Sequence, residues 1–479
     1  MKKSFLLFSL CLLLLETQAQ ATFELQWEYP YESQSSPLSL LADVLDRPYV
    51  YVASNEEGLV ILSTSGNFVA SLPVAEIGAG VMNLTQSGNL LYVAIGSHFN
   101  SDDPPGLAIV DVSDPETPEI LDIWQHPNPG DSNGTGIVKV VDGYAYLGAM
   151  SLGLIILNVA DPNAISFVSE LPLDINYPVQ NPTPTLYNAR GMEVRDDLVY
   201  MCFDAGGLRV IDCTDKLNPE EIGHYANPVT YDPINWPRAY NNVVLVDDVA
   251  YVAVDYCGIE ALDISDPENI ELLDHYNLQN CPAGLWYNSV LHTNEIFHQK
   301  ACNKLFVASG RSELLAFDIS QPGILDSVGM YGMLEDTMAT WGISMRHDSI
   351  YLSYLLIPIY IPLIHPFDAK WNGVKMVKWI DPCMPLSANE GDEKLLDVII
   401  SPNPTTGIIH LQFPTFHENE EATIFIYNAV GQLINKEKFN ITSELDWQLE
   451  GPNGIYFMHI RTKEKAGIFK IIKTDLNSQ

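Results

Sequence analysis

The sequence predicts an all-β fold: a seven-bladed β-propeller whose last blade is closed by the N-terminal strand, followed by a small C-terminal β-sandwich. The main observation is a repeated stretch, which reads Gly-Leu-Ala-Ile-Val-Asp-Val-Ser-Asp-Pro at residues 106–115. Close copies lie at residues 58–63, 153–162, 207–215 and 258–267, and looser copies at 313–322 and 373–382. Each copy is a short apolar run, usually opened by Gly and closed by turn residues, which is typical of a buried strand.

A complete repeat unit contains four predicted strands. In the fifth unit they lie at residues 242–246, 250–254, 259–263 and 270–276, joined by tight turns, which predicts an antiparallel sheet. An aromatic residue marks the second strand of every unit, at the spacing of about 40 to 55 residues that is found in repeat folds. These aromatics are Tyr51, Tyr92, Tyr146, Tyr200, Tyr251, Phe306 and Tyr351. Repeated sheets close well as blades around an axis because radial repetition leaves few exposed edges.

The seventh unit lacks an outer strand of its own, since its pattern ends at residues 379–382. Residues 23–29 (Phe-Glu-Leu-Gln-Trp-Glu-Tyr) precede the first unit and are similar to the predicted outer strands at residues 120–125 and 270–276. The segment alternates and contains several aromatics, which argues against a free linker. We therefore expect the mature N-terminus to supply the fourth strand of the last blade, which would hold this end of the chain in place.

Residues 1–21 are predicted to be a signal peptide. Two lysines precede an apolar run at residues 5–15, and Ala19-Gln-Ala21 has the small-x-small pattern of a cleavage site, so the mature chain should begin near Thr22. The apolar run is shorter than the roughly 18 residues that a membrane anchor needs. We expect an exported chain without a transmembrane span.

The composition is strongly acidic, with 24 Lys and Arg against 61 Asp and Glu and a formal net charge of −37. Such a charge repels nucleic acid and anionic lipid, and it favours solubility or cation binding. We therefore expect no nucleic-acid partner. Hydrophobic residues make up 47% of the chain, which is enough for packed cores rather than disorder.

The Leu-x-Ile-Val-Asp-x-Ser-Asp-Pro runs of these units resemble the LVIVD repeat, a β-propeller repeat of exported prokaryotic proteins. The resemblance covers roughly residues 40–382. It is good in the second to fifth units and weaker in the first, sixth and seventh, where the Asp-Pro pattern degrades. It implies a propeller domain over residues 22–382.

Residues 383–396 are polar and unpatterned, which predicts a linker. After the linker, residues 397–479 alternate like a small β-sandwich, with predicted strands at residues 408–413, 422–427, 432–437, 455–461 and 467–473. Four of its motifs resemble the C-terminal sorting domain of type IX secretion substrates: Pro-Asn-Pro-Thr-Thr-Gly at 402–407, Ile-Tyr-Asn-Ala-Val-Gly at 426–431, Gly-Ile-Tyr-Phe at 454–457 and Lys-Ile-Ile-Lys at 470–473. The resemblance implies handling by the type IX secretion machinery of a Gram-negative bacterium, removal of this domain, and release or attachment outside the outer membrane.

One face of the predicted propeller has long loops, between each outer strand and the next inner strand, whereas the turns of the opposite face are tight. Because function usually resides in the loops of a rigid scaffold, we expect a glycan or protein ligand on the long-loop face. Flat aromatics with guanidinium and amide donors suit a sugar ring or a peptide. The candidate ligand-binding residues are Arg190, Trp236, Arg238, Tyr240, Trp286, Tyr287 and Trp341.

Three of these loops end in a Tyr-Asn dipeptide, at residues 187–188, 240–241 and 287–288. The dipeptides suit a ligand, but they would equally pack between blades and cap the loop ends. Asp102, Asp103, Asp204 and Asp255 fall on hairpin loops of the same face, where carboxylates could bind Ca²⁺. Solvated surface acids are the favoured interpretation because no Asp-x-Asp-x-Asp-Gly loop is present, and the sequence requires no cofactor.

The recurrent acids of the third strands, Asp111, Asp212, Asp263 and Asp318, are predicted to accept hydrogen bonds from turn amides. Residues 292–298 concentrate histidine and glutamate, but they fall where an inner strand is expected and contain no HExxH motif, so a zinc site is disfavoured.

No linear catalytic motif is present, neither a Gly-x-Ser-x-Gly elbow nor a phosphate-binding glycine loop. A binding module is therefore the leading hypothesis. The alternative is a glycan hydrolase or lyase with Asp232, Asp255 and Glu295 around the channel mouth, and a third is a purely structural surface component. Among the cysteines, Cys257 and Cys281 lie on same-face loops of one unit and are the first-choice disulfide.

Overall fold

The computed structural model describes residues 21–31, 36–97, 103–128, 133–228, 239–278, 281, 291–333, 337–356, 369–380, 394–395, 398–413, 421–428, 433–449, 451–462 and 465–474. The chain divides into two compact units, Met1–Pro382 and Cys383–Gln479. Within the described part of the first unit lie seven four-stranded antiparallel sheets, which we number as blades 1 to 7 in chain order. The fold is therefore the predicted all-β propeller.

The strands of blades 1 to 3 follow one another in the chain. Blade 1 contains β2 (Pro37–Ala42), β3 (Tyr49–Ser54), β4 (Gly58–Ser63) and β5 (Phe68–Leu72). Blade 2 contains β6 (Val81–Ser87), β7 (Leu90–Ile95), β8 (Gly106–Asp111) and β9 (Glu119–Gln125). Blade 3 contains β10 (Ile137–Val141), β11 (Tyr144–Gly148), β12 (Leu154–Asn158) and β13 (Ser166–Leu171).

Blades 4 to 6 repeat this order from the inner to the outer strand. Blade 4 contains β14 (Gly191–Arg195), β15 (Leu198–Cys202), β16 (Leu208–Asp212) and β17 (Glu220–Tyr225). Blade 5 contains β18 (Tyr240–Val246), β19 (Val249–Val254), β20 (Ile259–Asp263) and β21 (Glu271–Tyr276). Blade 6 contains β22 (Thr293–Gln299), β23 (Lys304–Ser309), β24 (Leu314–Asp318) and β25 (Asp326–Tyr331).

Blade 7 is completed by the N-terminal strand. It contains β26 (Thr340–Arg346), β27 (Ser349–Tyr354), β28 (Gly373–Trp379) and, as its outer strand, β1 (Phe23–Pro30). The pairing of β1 with β28 has a register shift, in which one residue of β1, between Leu25 and Trp27, has no partner. The outer strands of the other six blades have the same one-residue shift at the equivalent position. The N-terminal strand therefore reproduces the geometry of an ordinary outer strand, as the sequence predicted.

Trp27 also ties blade 7 to blade 1. Its indole Nε1 donates to the carbonyl oxygen of Thr64, in the last turn of blade 1, at 2.9 Å. Its ring lies 6.1 Å from that of Tyr351, and both belong to the apolar cluster between these two blades. Further along the same seam, the Ala42 amide donates to Ser344 Oγ at 3.0 Å. The ring is thus closed by main-chain pairing and by side-chain packing together.

The recurrent aromatics fill the spaces between adjacent blades. All seven are at most 5% exposed. Tyr51, for example, packs in one cluster with Leu84 and Leu91 of the next blade, and Tyr251 packs with Leu305 of blade 6. An aromatic at this position provides a large apolar contact at every interface, which explains its recurrence along the chain.

Two further features of the repeat have clear physical causes. Gly58 and Gly258 have φ values of 83° and 84°, and a Cβ atom there would collide with the main chain of the outer strand. The third-strand acids accept hydrogen bonds from turn amides, as predicted. The amides of Ser113, Thr214, Ser265 and Ser320 donate to Asp111, Asp212, Asp263 and Asp318 at 2.7, 2.8, 2.9 and 2.8 Å.

Blade 6 departs from the repeat because Glu313 occupies the position of the opening glycine. It adopts a left-handed conformation with φ of 54° and is buried. Its carboxylate accepts hydrogen bonds from the ammonium of Lys375 at 3.0 Å and from the hydroxyl of Tyr354 at 2.6 Å, both in blade 7. The strained glutamate therefore connects two blades, which offsets the conformational cost of this position.

Short helical turns interrupt the loops of the propeller: α1 (Val74–Ile77) and 3-10 turns at Pro184–Leu186 and Lys300–Cys302. No helix in the described ranges has the length and apolar character to cross a membrane. Cys257 and Cys281, the pair favoured from the sequence, form a disulfide with their Cα atoms 5.3 Å apart. Cys202 and Cys213 are free and buried.

The second unit is a small sandwich of two sheets. One sheet has the order β29 (Lys394–Leu395), β36 (Lys465–Lys473), β35 (Gly454–Arg461), β32 (Glu421–Asn428) and β33 (Leu433–Asn440). The other has the order β30 (Ile399–Ser401), β31 (Ile408–Gln412) and β34 (Glu444–Gln448). Residues such as Ile409, Ile424, Met458 and Ile471 fill the core between the sheets. The short strand β29 lies within the segment predicted as a linker, so that segment is partly structured.

We predict that Trp27→Ala weakens ring closure. The substitution removes the hydrogen bond to Thr64 and a large half-buried ring, so we expect a loss of about 2 to 3 kcal/mol in unfolding free energy. Leu25→Ala on the same strand is the control, because Leu25 is 41% exposed. Thermal and urea unfolding of both variants would measure the difference. Equal stability of the two variants would contradict a closing role for Trp27.

Candidate functional site

The candidate site is a cavity at the axis of the propeller, at the ends of the inner strands that follow the long loops. In each blade the recurrent aromatic of the second strand pairs with one residue of the inner strand. The residue three positions before that partner lines the cavity. These seven lining residues are Leu38, Met82, Gly136, Arg190, Asn241, Asn294 and Trp341. The sevenfold repeat thus produces a closed ring of equivalent positions from seven distant segments.

The wall of the cavity has two chemically different arcs. Trp341, Leu38, Met82 and Met150, from blades 7, 1, 2 and 3, form an apolar arc that belongs to one hydrophobic cluster. The facing polar arc comes from blades 4, 5 and 6. Its members are Arg190, Asn241, Asn242, Asn294 and Glu295. A group that enters this cavity therefore meets an apolar surface on one side and hydrogen-bonding groups on the other.

Glu295 crosses the channel and forms the floor of the cavity. Its Oε1 accepts from the amide nitrogen of Asn83, in blade 2, at 3.3 Å, and its Oε2 accepts from the main chain of Ile343 at 3.0 Å. Asn83 also donates to Ser39 Oγ of blade 1 at 3.2 Å. Because blades 2 and 6 are not neighbours, the bond between Asn83 and Glu295 spans the axis below the lining residues of the rim.

The environment of Glu295 raises the pKa of its carboxyl to about 7. Burial is the main cause, because it disfavours the charged form, and the hydrogen bonds from Ser39 and Ile343 partly oppose it. Near neutral pH the floor of the cavity is therefore an equilibrium between a carboxylate and a neutral carboxylic acid. The neutral form can donate a hydrogen bond as well as accept one.

The rim of the cavity contains two acids, and each has a cationic or imidazole partner. Asp204 lies 2.5 Å from Arg190 Nε, and its other oxygen accepts from Asn188 at 2.7 Å. Asp255 lies 2.7 Å from His292 Nε2. Burial raises the pKa of Asp204, and the charge of Arg190 opposes that rise. Each rim acid therefore has a polar partner within the protein.

The backbone of the rim is strained at equivalent places in successive blades. Met150, Asp204 and Asp255 have φ values of 47°, 48° and 38°, in the left-handed region. Each forms a bridge to the segment leading into the next inner strand, for example between Asp255 and Thr293. Left-handed conformations of residues other than glycine have an energetic cost and cluster at functional sites.

Two aromatic rings lie close to the ring of His292. The ring of His292 lies 5.1 Å from that of Trp341 and 4.7 Å from that of Tyr256. Asn294 donates to His292 Nδ1 at 2.8 Å, and the other ring nitrogen of His292, Nε2, lies 2.7 Å from Asp255. In the described ranges no three His, Cys, Asp or Glu side chains converge as a metal site would require.

The predicted ligand-binding residues have different locations. Arg190 and Trp341 line the cavity. Tyr240 does not, because its ring is fully buried and its hydroxyl donates to Glu260 at 2.9 Å. Tyr187 is likewise buried, so the described tyrosines of the Tyr-Asn pairs serve packing rather than ligand contact. Four candidates lie outside the described residues, as does the acid Asp232: Trp236, Arg238, Trp286 and Tyr287.

Sequence reasoning missed several lining residues, notably Met82, Asn241 and Asn294. The signal was present, because all three occupy one position relative to the recurrent aromatic. In the sequence Asn241 belongs to a Tyr-Asn pair, whose tyrosine is the predicted ligand-binding residue. The strand pairing is irregular between Tyr240 and Asn242, and both Asn241 and Asn242 line the cavity while Tyr240 is buried.

Comparisons with protein families agree with this architecture. Residues 79–123, 134–171 and 237–277 match the LVIVD repeat, and residues 400–474 match the secretion system C-terminal sorting domain. The chain is an LVIVD-repeat propeller with a type IX sorting domain. A sorting domain of this kind indicates secretion through the type IX system of Bacteroidetes-type Gram-negative bacteria, to the cell surface or into the medium. The LVIVD propeller is therefore a secreted protein.

Solved structures resemble the LVIVD propeller only in fold. Chaetomium thermophilum Raptor matches with 10% identity and a TM-score of 0.54, over 76% of this chain and 30% of that chain. The Myceliophteria thermophila Cps50 β-propeller domain matches with 10% identity and a TM-score of 0.49, over 76% and 99% of the two chains. Saccharomyces cerevisiae Sqt1 matches with 8% identity and a TM-score of 0.48, over 95% and 100%. The comparison with curated proteins gives no match.

We predict that Glu295 makes the stability of the propeller depend on pH. Its pKa is about 7 when folded and 4.5 ordinarily, so the folded chain holds the proton more tightly than the unfolded chain. The free energy of unfolding should fall as the pH rises from about 4.5 through 7, by at most about 3 kcal/mol.

Urea unfolding at pH 5 and pH 8 measures this effect. Glu295→Gln should lose less stability than the wild type between the two pH values, because glutamine does not ionise. The matched control is the exposed Glu119→Gln, which should keep the wild-type difference. A wild-type difference that survives in Glu295→Gln would show that other groups cause it.

Proposed function

We propose that the LVIVD propeller is a cell-surface binding module that holds its ligand, a glycan or a protein, in the axial cavity. The observation that carries the proposal is the ring of seven lining residues with an apolar and a polar arc. Ligand sites are concave, largely apolar and supplied with a few directed polar groups. The cavity is concave, but it is smaller and more polar than such sites, since Asn83, Arg190, Asn241, Asn242, Asn294 and Glu295 line it beside the apolar arc. It lies on the long-loop face that the sequence favoured.

The construction of the site supports binding rather than a purely structural role. A structural surface component has no need for a concave site, yet here the rim contains strained backbone at Met150, Asp204 and Asp255. Secretion by the type IX system supplies the setting in which an external ligand is met.

Glu295 favours one alternative, a glycan hydrolase or lyase. A carboxyl group with a raised pKa inside a cavity is a typical general acid. Glycosidases, however, need a second free carboxylate within about 5 to 10 Å. The described rim acids, Asp204 and Asp255, are each engaged by Arg190 or His292, which makes them better suited to shaping the site than to catalysis.

The decisive experiment is a ligand screen on the purified full-length chain with a matched pair of variants. Polysaccharides, oligosaccharides and surface-protein extracts are tested by thermal shift, since a ligand at a hundred times its Kd adds about 2.7 kcal/mol. We predict that Trp341→Ala weakens binding of any ligand found by at least about tenfold, or about 1.4 kcal/mol.

Phe167→Ala is the control, because Phe167 is 49% exposed on an outer strand, far from the axis. It should bind as the wild type does. Release of reducing ends from a bound polysaccharide, abolished by Glu295→Gln, would instead support the hydrolase. Binding that Trp341→Ala leaves unchanged would place the ligand elsewhere on the protein and contradict the proposal.

A further inference from the structure

We infer that the cavity receives the terminal sugar of an uncharged glycan, with one face of its ring against the apolar arc and its hydroxyl edge against the polar arc. The inference rests on the proposed function and specifies the ligand of the same site. Three properties of the cavity lead to it: its shape, its division into two arcs and the lack of an unpaired cation in its described rim.

The shape selects a chain end. All seven blades contribute a lining residue, so the cavity is walled on every side, and the bond between Asn83 and Glu295 closes its floor. A polymer cannot lie across such a cavity and fill it. Its volume is about 50 Å³, against about 10 to 15 Å³ for one water. Part of one sugar ring fits this space, whereas a folded protein loop does not.

The two arcs match the two sides of a pyranose ring. A pyranose has an apolar face of C–H groups and an edge of hydroxyls, each of which donates and accepts hydrogen bonds. Trp341, Met82 and Met150 offer an apolar surface for the face of the ring. The Asn241 carboxamide donates to the Thr293 carbonyl at 2.8 Å, and the Asn242 oxygen accepts from the Ile296 amide at 3.3 Å. The Asn241 oxygen can then accept from a hydroxyl, and the Asn242 nitrogen can donate to one.

The charge distribution disfavours an anionic end. Arg190 is paired with Asp204, and Asp255 with His292, so the described rim has no free cation for a uronic acid or a phosphate. The net charge of −37 repels such anions further. A protein terminus carries a full charge of its own, and a C-terminal carboxylate is disfavoured for the same reason.

The experiment uses the full-length chain and saturation-transfer NMR with glucose, galactose, mannose and N-acetylglucosamine, each up to about 50 mM, where even millimolar binding registers. Glucuronic and galacturonic acids serve as charged counterparts. Binding of linear maltoheptaose is then compared with binding of β-cyclodextrin, a cyclic oligosaccharide that has no chain end. Trp341→Ala tests the apolar arc and Asn242→Leu the polar arc.

Asn67→Leu is the matched control, because Asn67 is exposed in a turn at the opposite end of blade 1. The melting temperature of every variant is recorded, so that a folding defect is recognised. The expected result is that the wild type binds at least one neutral sugar and binds the corresponding uronic acid at least tenfold more weakly. Binding of the neutral sugar should be at least tenfold weaker in Trp341→Ala and Asn242→Leu and unchanged in Asn67→Leu. If maltoheptaose binds, β-cyclodextrin should not.

Several outcomes would overturn the inference, and they differ from a failure of the proposed function. Equal or tighter binding of a uronic acid, or of the cyclic sugar, refutes an uncharged chain end while leaving the cavity as the site. No binding by any neutral sugar also refutes it, and a protein ligand lost in Trp341→Ala would then keep the proposed function. If Trp341→Ala leaves the binding of every ligand unchanged, both the inference and the proposed function are refuted.

Discussion

The pairing of β1 with β28 is the interaction on which the rest of the propeller depends. Without β1, the seventh blade would end in a strand with unpaired main-chain groups, which is an exposed edge. The seam between blades 7 and 1 would also lose Trp27, whose indole reaches across to Thr64. Closure matters for the site as well, because the cavity has no continuous wall unless seven inner strands surround the axis. The polar floor at Glu295 likewise requires that blades 2 and 6 face each other across a closed ring.

Much of the fold could be predicted from the sequence because its repeat has direct physical causes. Gly258 occupies a left-handed position against the outer strand, Asp263 binds a turn amide, and Tyr251 fills the space between two blades. Each requirement selects a residue type at a fixed spacing, so the repeat can be recognised in the linear sequence. The closing strand was also predictable, since the last unit lacked an outer strand and an unassigned segment had the right pattern. Strand β34 was missed because the run Glu444–Gln448 has few apolar residues.

The site was harder to predict than the fold because its residues occupy equivalent positions in the seven blades but differ in residue type. Arg190 and Trp341 were found through their residue types, whereas Met82 and Asn294 have no feature that marks them as ligand contacts in a linear sequence. Their common property is a fixed position in the inner strand relative to the residue that pairs with the recurrent aromatic. This position identifies cavity residues only when the seven blades are known to form a ring. The role of Glu295 as a floor depends on a contact across the axis with Asn83, and no local pattern reports such a contact.

Departures from the repeat occur where blades are tied together or where the cavity is built. Glu313 replaces a glycine and binds Lys375 of the next blade. Asp204 and Asp255 adopt left-handed conformations at the rim and hold Arg190 and His292. In each case a local conformational cost is offset by a buried polar contact. The repeat therefore supplies a rigid frame, and its irregular positions give one end of that frame a defined chemical surface.

The most direct test of a functional axial cavity is hydrogen–deuterium exchange with and without a saturating ligand from the screen. Peptides containing Arg190, Asn241, Asn294 and Trp341 are far apart in the sequence but share one wall. The account predicts that exchange slows in all four together, while the turns at the opposite end of the blades are unchanged. Slowed exchange confined to one blade, or to the outer strands, would contradict the claim that the ring of inner strands forms the binding site.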